Sequence, residues 1–245
     1  MQLFDTMIED TKRFIEGHEQ RRTWTALDKP AWPEGGNRNI VLKEDMGLEL
    51  GSPQTQSLSC ILWTENLDLI KDGSITLAGP DLSQSYGKSL PFAKIALVGV
   101  SGFTEENTYE RYKDMELLRY QLDLRGFMLR AVSQYMREWC RISSEAVIRG
   151  FSVQVLGSAL MALFKEKPYV RAFEVIFLTS SADDVKRLKK ITEPSQKIIA
   201  AMNKMAEEFD FDCASCEYLD VCNEADLLKG MRDRLREKQR EVVHG

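Results

Sequence analysis

Apolar positions recur at helical spacing at the start of the chain. Leu3, Phe4, Met7, Ile8, Phe14 and Ile15 predict an amphipathic helix over residues 1–22. The stretch from Asp28 to Asn39, DKPAWPEGGNRN, carries two prolines and two glycines and predicts a loop that separates this helix from the main body. Between Ile40 and Val100 the apolar runs shorten, and Gly51-Ser52-Pro53, Lys71-Asp72-Gly73 and Gly79-Pro80-Asp81 interrupt them as turns. Residues 59–63 and 75–77 predict strands, and the continuous apolar run 95–100 predicts a buried one.

The period then changes. From Thr104 to about Cys140 there is no proline and one glycine, and apolar and charged positions at helical spacing predict one long helix, or two that break near Gly126. Ser143-Ser144-Glu145 starts a further helix that runs to about Gly150, and 151–164 reads as a short strand-like piece followed by a helix. Residues 172–179 predict a strong strand. Ser180 or Ser181 then caps a helix with Asp183 and Asp184 in its first turn, where the helix dipole favours anions. A helix from about Pro194 to Phe209 and a Lys-, Arg- and Glu-rich one close the chain.

Strands that give way to helices and return predict an α/β (mixed α+β) fold: a mixed sheet packed with helices, plus a small helical C-terminal cysteine module. The expected organisation is an N-terminal helix and loop over 1–39, a main α/β domain over 40–190 and the cysteine module over 191–245.

At 245 residues and 43% hydrophobic the chain can bury a sizeable core. A formal net charge of −5 leaves no basic excess to displace counterions from phosphates, which argues against nucleic-acid binding. No apolar run of membrane-spanning length occurs, and Asp5, Glu9 and Asp10 stand where a signal peptide would need a basic start. A cytoplasmic location is expected.

Five cysteines are present, and three of them fall within ten residues: Cys213, Cys216 and Cys222. A Cys-x2-Cys pair puts two thiolates on one tight turn, and a third cysteine at the start of the following helix can close a site around one metal centre. The readings are an iron–sulfur cluster, a structural zinc, a redox-active dithiol at Cys213 and Cys216, and unliganded cysteines. Spacing alone does not separate iron from zinc. Cys60 and Cys140 lie in apolar or amphipathic stretches, where a lone cysteine is usually a small buried hydrophobe, though either is a candidate fourth ligand.

Residues 109–151 interleave Arg111, Arg119, Arg125, Arg130, Arg137, Arg141 and Arg149 with Tyr109, Tyr112, Tyr120, Phe127, Tyr135 and Trp139. Such a set can hold an anionic, aromatic ligand such as a nucleotide or coenzyme A. The favoured reading is a solvated helix whose arginines pair with Glu110, Asp114, Glu116, Asp123 and Glu138.

The order of several segments resembles a known family. Lys43-Glu44-Asp45-Met46-Gly47-Leu48-Glu49-Leu50-Gly51 is similar to the "KEDM-x-x-E-x-G" stretch in the middle of the acetyl-CoA synthase β subunit. Asp72-Gly73-Ser74-Ile75 and Gly79-Pro80-Asp81-Leu82 resemble its "DGKI…GPDI", and Glu110-Arg111 its "ER". Trp139-Cys140-Arg141-Ile142-Ser143, Ala146-Val147 and Gly150-Phe151 resemble "WLRVS-x-x-AV-x-x-GF", and 175–179 the strand before the family's metal domain.

That resemblance implies a middle-domain-like fold and a possible coenzyme A contact at Trp139 and Arg141. It likens Cys213 and Cys216 to the opening pair of the family's cluster ligands and Cys222 to the third, at a shorter spacing. The Cys-Gly-Cys that chelates the family's outer nickel is absent from these residues, so autonomous acetyl-CoA synthesis is not expected. The expected function is an accessory or electron-transfer subunit in anaerobic one-carbon, corrinoid or acyl-CoA metabolism, carrying a 4Fe–4S cluster, within a multi-subunit complex or homo-oligomer. The alternatives are a non-catalytic interaction protein with a structural zinc, and an enzyme subunit completed by a partner chain.

Overall fold

The computed structural model describes residues 3–27, 32–36, 39–133, 137–207, 213 and 215–244. Along them run α1 (Asp5–Glu16), β1 (Arg21–Thr25), β2 (Met46–Leu50), β3 (Ser57–Thr64), β4 (Ser74–Ala78), β5 (Lys88–Leu90), β6 (Phe92–Val100), α2 (Thr108–Leu117), β7 (Phe127–Ser133) and β8 (Arg137–Ser143). Then come α3 (Ser144–Ile148), α4 (Val153–Lys165), β9 (Val170–Leu178), α5 (Ala182–Glu207), α6 (Leu219–Glu224) and α7 (Asp226–His244).

The apolar runs form the centre of a five-stranded mixed sheet in the order β1-β4-β9-β6-β3. Every residue of β6 is buried, because the strand is paired on both sides and covered on both faces. Helix α4 packs on β4 and β9, α5 on β3 and β6, and α1 on α5 and β3. The α1 contact is anchored by Phe4, whose ring meets Trp63 edge-on at 4.5 Å. A second sheet, β5-β2-β8-β7, meets the first where β8 packs against β3. The mixed α/β class is as the sequence predicts, with two sheets in place of the expected one.

Four local expectations are corrected. The first helix stops at Glu16, and Arg21–Thr25 instead pairs antiparallel with β4, placing Trp24 opposite Ile75. Two threonines around a tryptophan suit a half-exposed edge strand better than another helical turn. The long helix expected over 104–140 ends at Leu117, followed by a 3-10 turn to Gln121 and then the antiparallel pair β7–β8. Gly126 enters β7 at φ 78°, and a Cβ there would lie 2.5 Å from Ser143 Oγ, so the chain turns where no other side chain fits. In β8 burial alternates, with Glu138, Cys140 and Ile142 inward. A buried acid at one of those inward positions disguises the two-residue period.

No strand precedes α4. Ser152 caps the helix directly, its Oγ accepting from Val155 N at 3.3 Å. Finally, the helix expected to begin at Pro194 is the second half of α5, which runs unbroken through Pro194 and through the boundary expected at residue 190. Thr192 and Ser195 give their hydroxyls to backbone carbonyls of Leu188 and Thr192, at 3.2 and 2.6 Å, on either side of the residue that lacks an N–H. Its cap is as expected: Ser181 Oγ accepts from Asp184 N at 3.0 Å. The loop expected over 28–39 lies partly outside the described residues, as does Tyr135.

Candidate functional site

The second half of α5 presents Ala201 and Met205 to the chain that follows it. There Cys213, Cys216 and Cys222 line one small cavity of about 10 Å³ together with these two residues and Arg232. Cys213 and Cys216 come from the turn before α6, tied by Leu219 N to Cys216 O at 3.1 Å, and Cys222 comes from α6 itself. Cys213 and Cys222 are buried and Cys216 is half-buried. Arg232 on α7 is also buried, and donates to Asn223 Oδ1 at 2.6 Å.

Burial pushes the Cys222 thiol up, the Arg232 guanidinium opposes that, and the neighbouring Cys216 and Cys213 reinforce it. Among the described residues, no group of three His, Cys, Asp or Glu side chains stands at metal-holding spacing. The donor set is nonetheless right for a thiophilic centre: three thiols, apolar walls and one buried cation that favours thiolates.

The structure does not bring Cys60 or Cys140 to this cavity. Cys60, on β3, lines a separate and larger cavity whose wall it shares through Tyr218. Cys140, on β8, sits 3.7 Å from Glu138 Oε1. Burial raises both thiols, and at Cys140 the Glu138 carboxylate acts in the same direction.

Trp139 and Arg141 lie on the opposite side of β8 from Glu138 and Cys140. The guanidiniums of Arg130 and Arg141 each lie 5.4 Å from the Trp139 ring centroid, which makes a cationic-aromatic platform. Arg141 Nε is held by Glu49 Oε1 at 3.1 Å, and the Trp139 indole N–H has no partner among the described residues.

The other arginines are largely structural. Arg111 donates to the Ser101 and Gly102 carbonyls, Arg119 pairs with Glu116 at 2.8 Å, and Arg125 and Arg149 both reach Glu145. Of the acids expected to receive them, Asp114 instead takes Lys167, Asp123 takes two backbone N–H groups, and Glu138 takes Lys94. The Lys94–Glu138 pair is the feature that sequence reasoning missed; its one signal was a lysine inside the apolar run FAKIALVGV.

The residues that carry the family resemblance mostly build the frame. Gly79 takes φ 115° beside Ser180, and Asp81 Oδ1 accepts from Leu82 N at 2.6 Å and Val153 N at 3.0 Å, joining the turn to the start of α4. Asp72 accepts from Phe173 N at 2.9 Å and pairs with Lys165.

Comparison with known proteins agrees with that pattern. Residues 34–184 match the family described as CO dehydrogenase/acetyl-CoA synthase complex beta subunit. The chain is 32% identical over 155 residues to the acetyl-CoA decarbonylase/synthase complex subunit beta 2 of Methanosarcina thermophila, covering 62% of this chain and 32% of that protein. It is 30% identical over 186 residues to subunit beta 1 of Methanosarcina acetivorans, covering 72% and 38%. It is 29% identical over 185 residues to the beta subunit of Methanothermobacter thermautotrophicus, again covering 72% and 38%. The aligned region thus spans about a third of the length of these relatives, which are by name subunits of a multi-subunit complex. No helix among the described residues is long and apolar enough to cross a membrane. With more than half of its residues inside the matched region, the chain belongs to the CO dehydrogenase/acetyl-CoA synthase complex beta subunit family.

Proposed function

We propose that Cys213, Cys216 and Cys222 hold a metal centre, an iron–sulfur cluster of the 4Fe–4S type, and that the protein serves as an accessory or electron-transfer subunit in acyl-CoA or one-carbon chemistry. The observation that carries this reading is the convergence of the three thiols on one cavity beside the buried Arg232. A cluster ligated by thiolates is anionic, and the guanidinium offsets that charge where water cannot. The fourth ligand is left to a small molecule or to a partner chain. The partner is another subunit of a complex like that of the relatives. The Arg130–Trp139–Arg141 platform is the surface through which coenzyme A would be engaged.

One observation favours a second reading. The space between the thiols is about 10 Å³, room for a single ion rather than a cubane without movement of the turn. A structural zinc in a non-catalytic interaction protein would need a smaller movement of the cysteine turn than a cubane would, to draw the three thiols to metal-holding spacing.

Anaerobic purification of the full chain followed by iron, sulfide and zinc analysis tests both. About four irons per chain with broad visible absorption, as thiolate-bound clusters give, supports the cluster. A colourless protein with one zinc overturns it in favour of the second reading. Failure to retain either metal, before or after reconstitution, rejects the metal centre altogether.

A further inference from the structure

Outside the cysteine site, a cavity of about 610 Å³ opens between α2, α5 and the face of β3 and β6. Its size is that of a small-molecule site, which typically runs about 300–1,000 Å³. Its lining combines apolar side chains, Met115, Leu160, Phe164 and Ile199, with the cations Lys94 and Arg119, both of which act on the Glu138 carboxylate.

The polar part of the lining is only partly satisfied by the protein. Lys94 is engaged by both oxygens of Glu138 at 2.6 Å, and Arg119 Nη2 by Glu116 at 2.8 Å. The Arg119 Nε–H and the Gln196 side-chain amide nitrogen are buried donors with no hydrogen-bond partner among the described residues, and the Asn203 Oδ1 acceptor on the same lining is likewise unpartnered. A buried donor left unmade costs about 1–3 kcal/mol, so two in one cavity mark a place where something is to be received. Lys113 and Lys197 add positive charge along the same wall.

We infer that this cavity binds a small organic monocarboxylate with an apolar body, its two carboxylate oxygens received by Arg119 Nε and the Gln196 amide. Two orphan donors match the two oxygens of one carboxylate. A phosphate dianion suits the site less, because Glu138 and Glu116 already stand beside Lys94 and Arg119 and would repel a second negative charge. A neutral alcohol of the same shape offers one oxygen and no charge-assisted bond, so it would satisfy the Arg119 and Gln196 donors less well. The site is separate from the Trp139 platform, since Glu138 and Trp139 project from opposite sides of β8. It also stands independently of any metal at the cysteines.

Isothermal titration of the full-length protein with octanoate, octanol and inorganic phosphate tests this. Saturable one-to-one binding of octanoate, with octanol and phosphate at least about tenfold weaker, is expected from the loss of charge-assisted bonds. Gln196→Leu removes an unpartnered amide, so it should keep the wild-type melting temperature while weakening octanoate about tenfold. Arg119→Met should weaken it further. Equal binding of octanol, preference for phosphate, no binding at all, or octanoate affinity unchanged in Gln196→Leu would each overturn the assignment.

Discussion

Lys94 Nζ lies 2.6 Å from each carboxylate oxygen of Glu138, and both side chains are almost completely buried. The pair joins the centre of the first sheet to β8 of the second, and Ser59 Oγ on β3 adds a third contact to the same carboxylate at 3.0 Å. Removing one partner leaves an almost completely buried charge without its counter-ion. Lys94→Met should therefore cost about 3–5 kcal/mol, whereas Lys94→Met with Glu138→Met should cost far less, because no ion is stranded. Chemical denaturation of the three proteins gives both numbers. A double variant as unstable as the single one would show that the pair is held for more than charge balance.

The same pair sets a pH dependence. Burial alone would raise the Glu138 carboxyl, but the adjacent Lys94 ammonium, with help from Arg119 and Ser59, holds it below the usual range. A carboxyl with a depressed folded value binds its proton more readily when unfolded. Its contribution is complete above the unfolded value of about 4.3 and is lost as pH falls through the lower folded value. Stability measured from pH 6 down to pH 3 should fall more steeply in the wild type than in the Lys94→Met, Glu138→Met protein. Parallel curves would remove Glu138 from the acid transition.

Asp81 holds two elements with one oxygen, through Leu82 N and Val153 N, in a position that is itself buried. Asp81→Ala leaves both donors unpaired, which should cost about 2–3 kcal/mol, while Asp81→Asn keeps one acceptor and should cost less. Gly79→Ala should also destabilise, because at φ 115° the new Cβ would stand 2.5 Å from Ser180 N. Thermal melts would check the ranking. A neutral Asp81→Ala would mean that water replaces the carboxylate.

These residues also show what the sequence discloses and what it withholds. Strands β6 and β9 are readable because burial on both faces demands predominantly apolar runs, and the start of α5 is readable because Ser181 and Asp184 cap it locally. The β7–β8 pair is hidden because Glu138 occupies an inward position, and its counter-ion lies 44 residues away in β6. The cysteine spacing is legible as a possible site. Arg232, the cation beside it, is not, because a separate helix delivers it. Local chemistry is written in short stretches of chain, whereas partners supplied by tertiary packing are not.

The platform at Trp139 carries its own test. Four tryptophans report on fluorescence, but Trp139 is flanked by two guanidiniums at 5.4 Å. If coenzyme A stacks there, titration should quench part of the emission, and Trp139→Phe should abolish that part. Arg141→Gln should weaken binding by about tenfold through the loss of a charged contact, and should also destabilise the fold, because it leaves the buried Glu49 carboxylate without its counter-ion. Quenching that survives Trp139→Phe would exclude the platform.

Metal removal should act locally. The cysteine-bearing turn and α6 pack on the second half of α5 and on α7, whereas β3, β6 and β9 are held by their pairing within the first sheet. A ligated centre contributes its binding free energy to whatever segment must be folded to form it, and under the proposed metal reading that segment is the region around Cys213, Cys216 and Cys222. Hydrogen exchange of the metal-loaded protein should therefore show protection in α6 and in the α7 turn around Arg232. That protection should fall on chelation or in Cys222→Ser, with β6 and β9 unchanged. The Ser variant should also lose most of its metal, since a hydroxyl does not ionise to replace a thiolate. Protection in α6 that is identical with and without metal would mean that apolar packing alone orders the cysteine turn, and the three thiols would then revert to buried side chains with no ligand to hold.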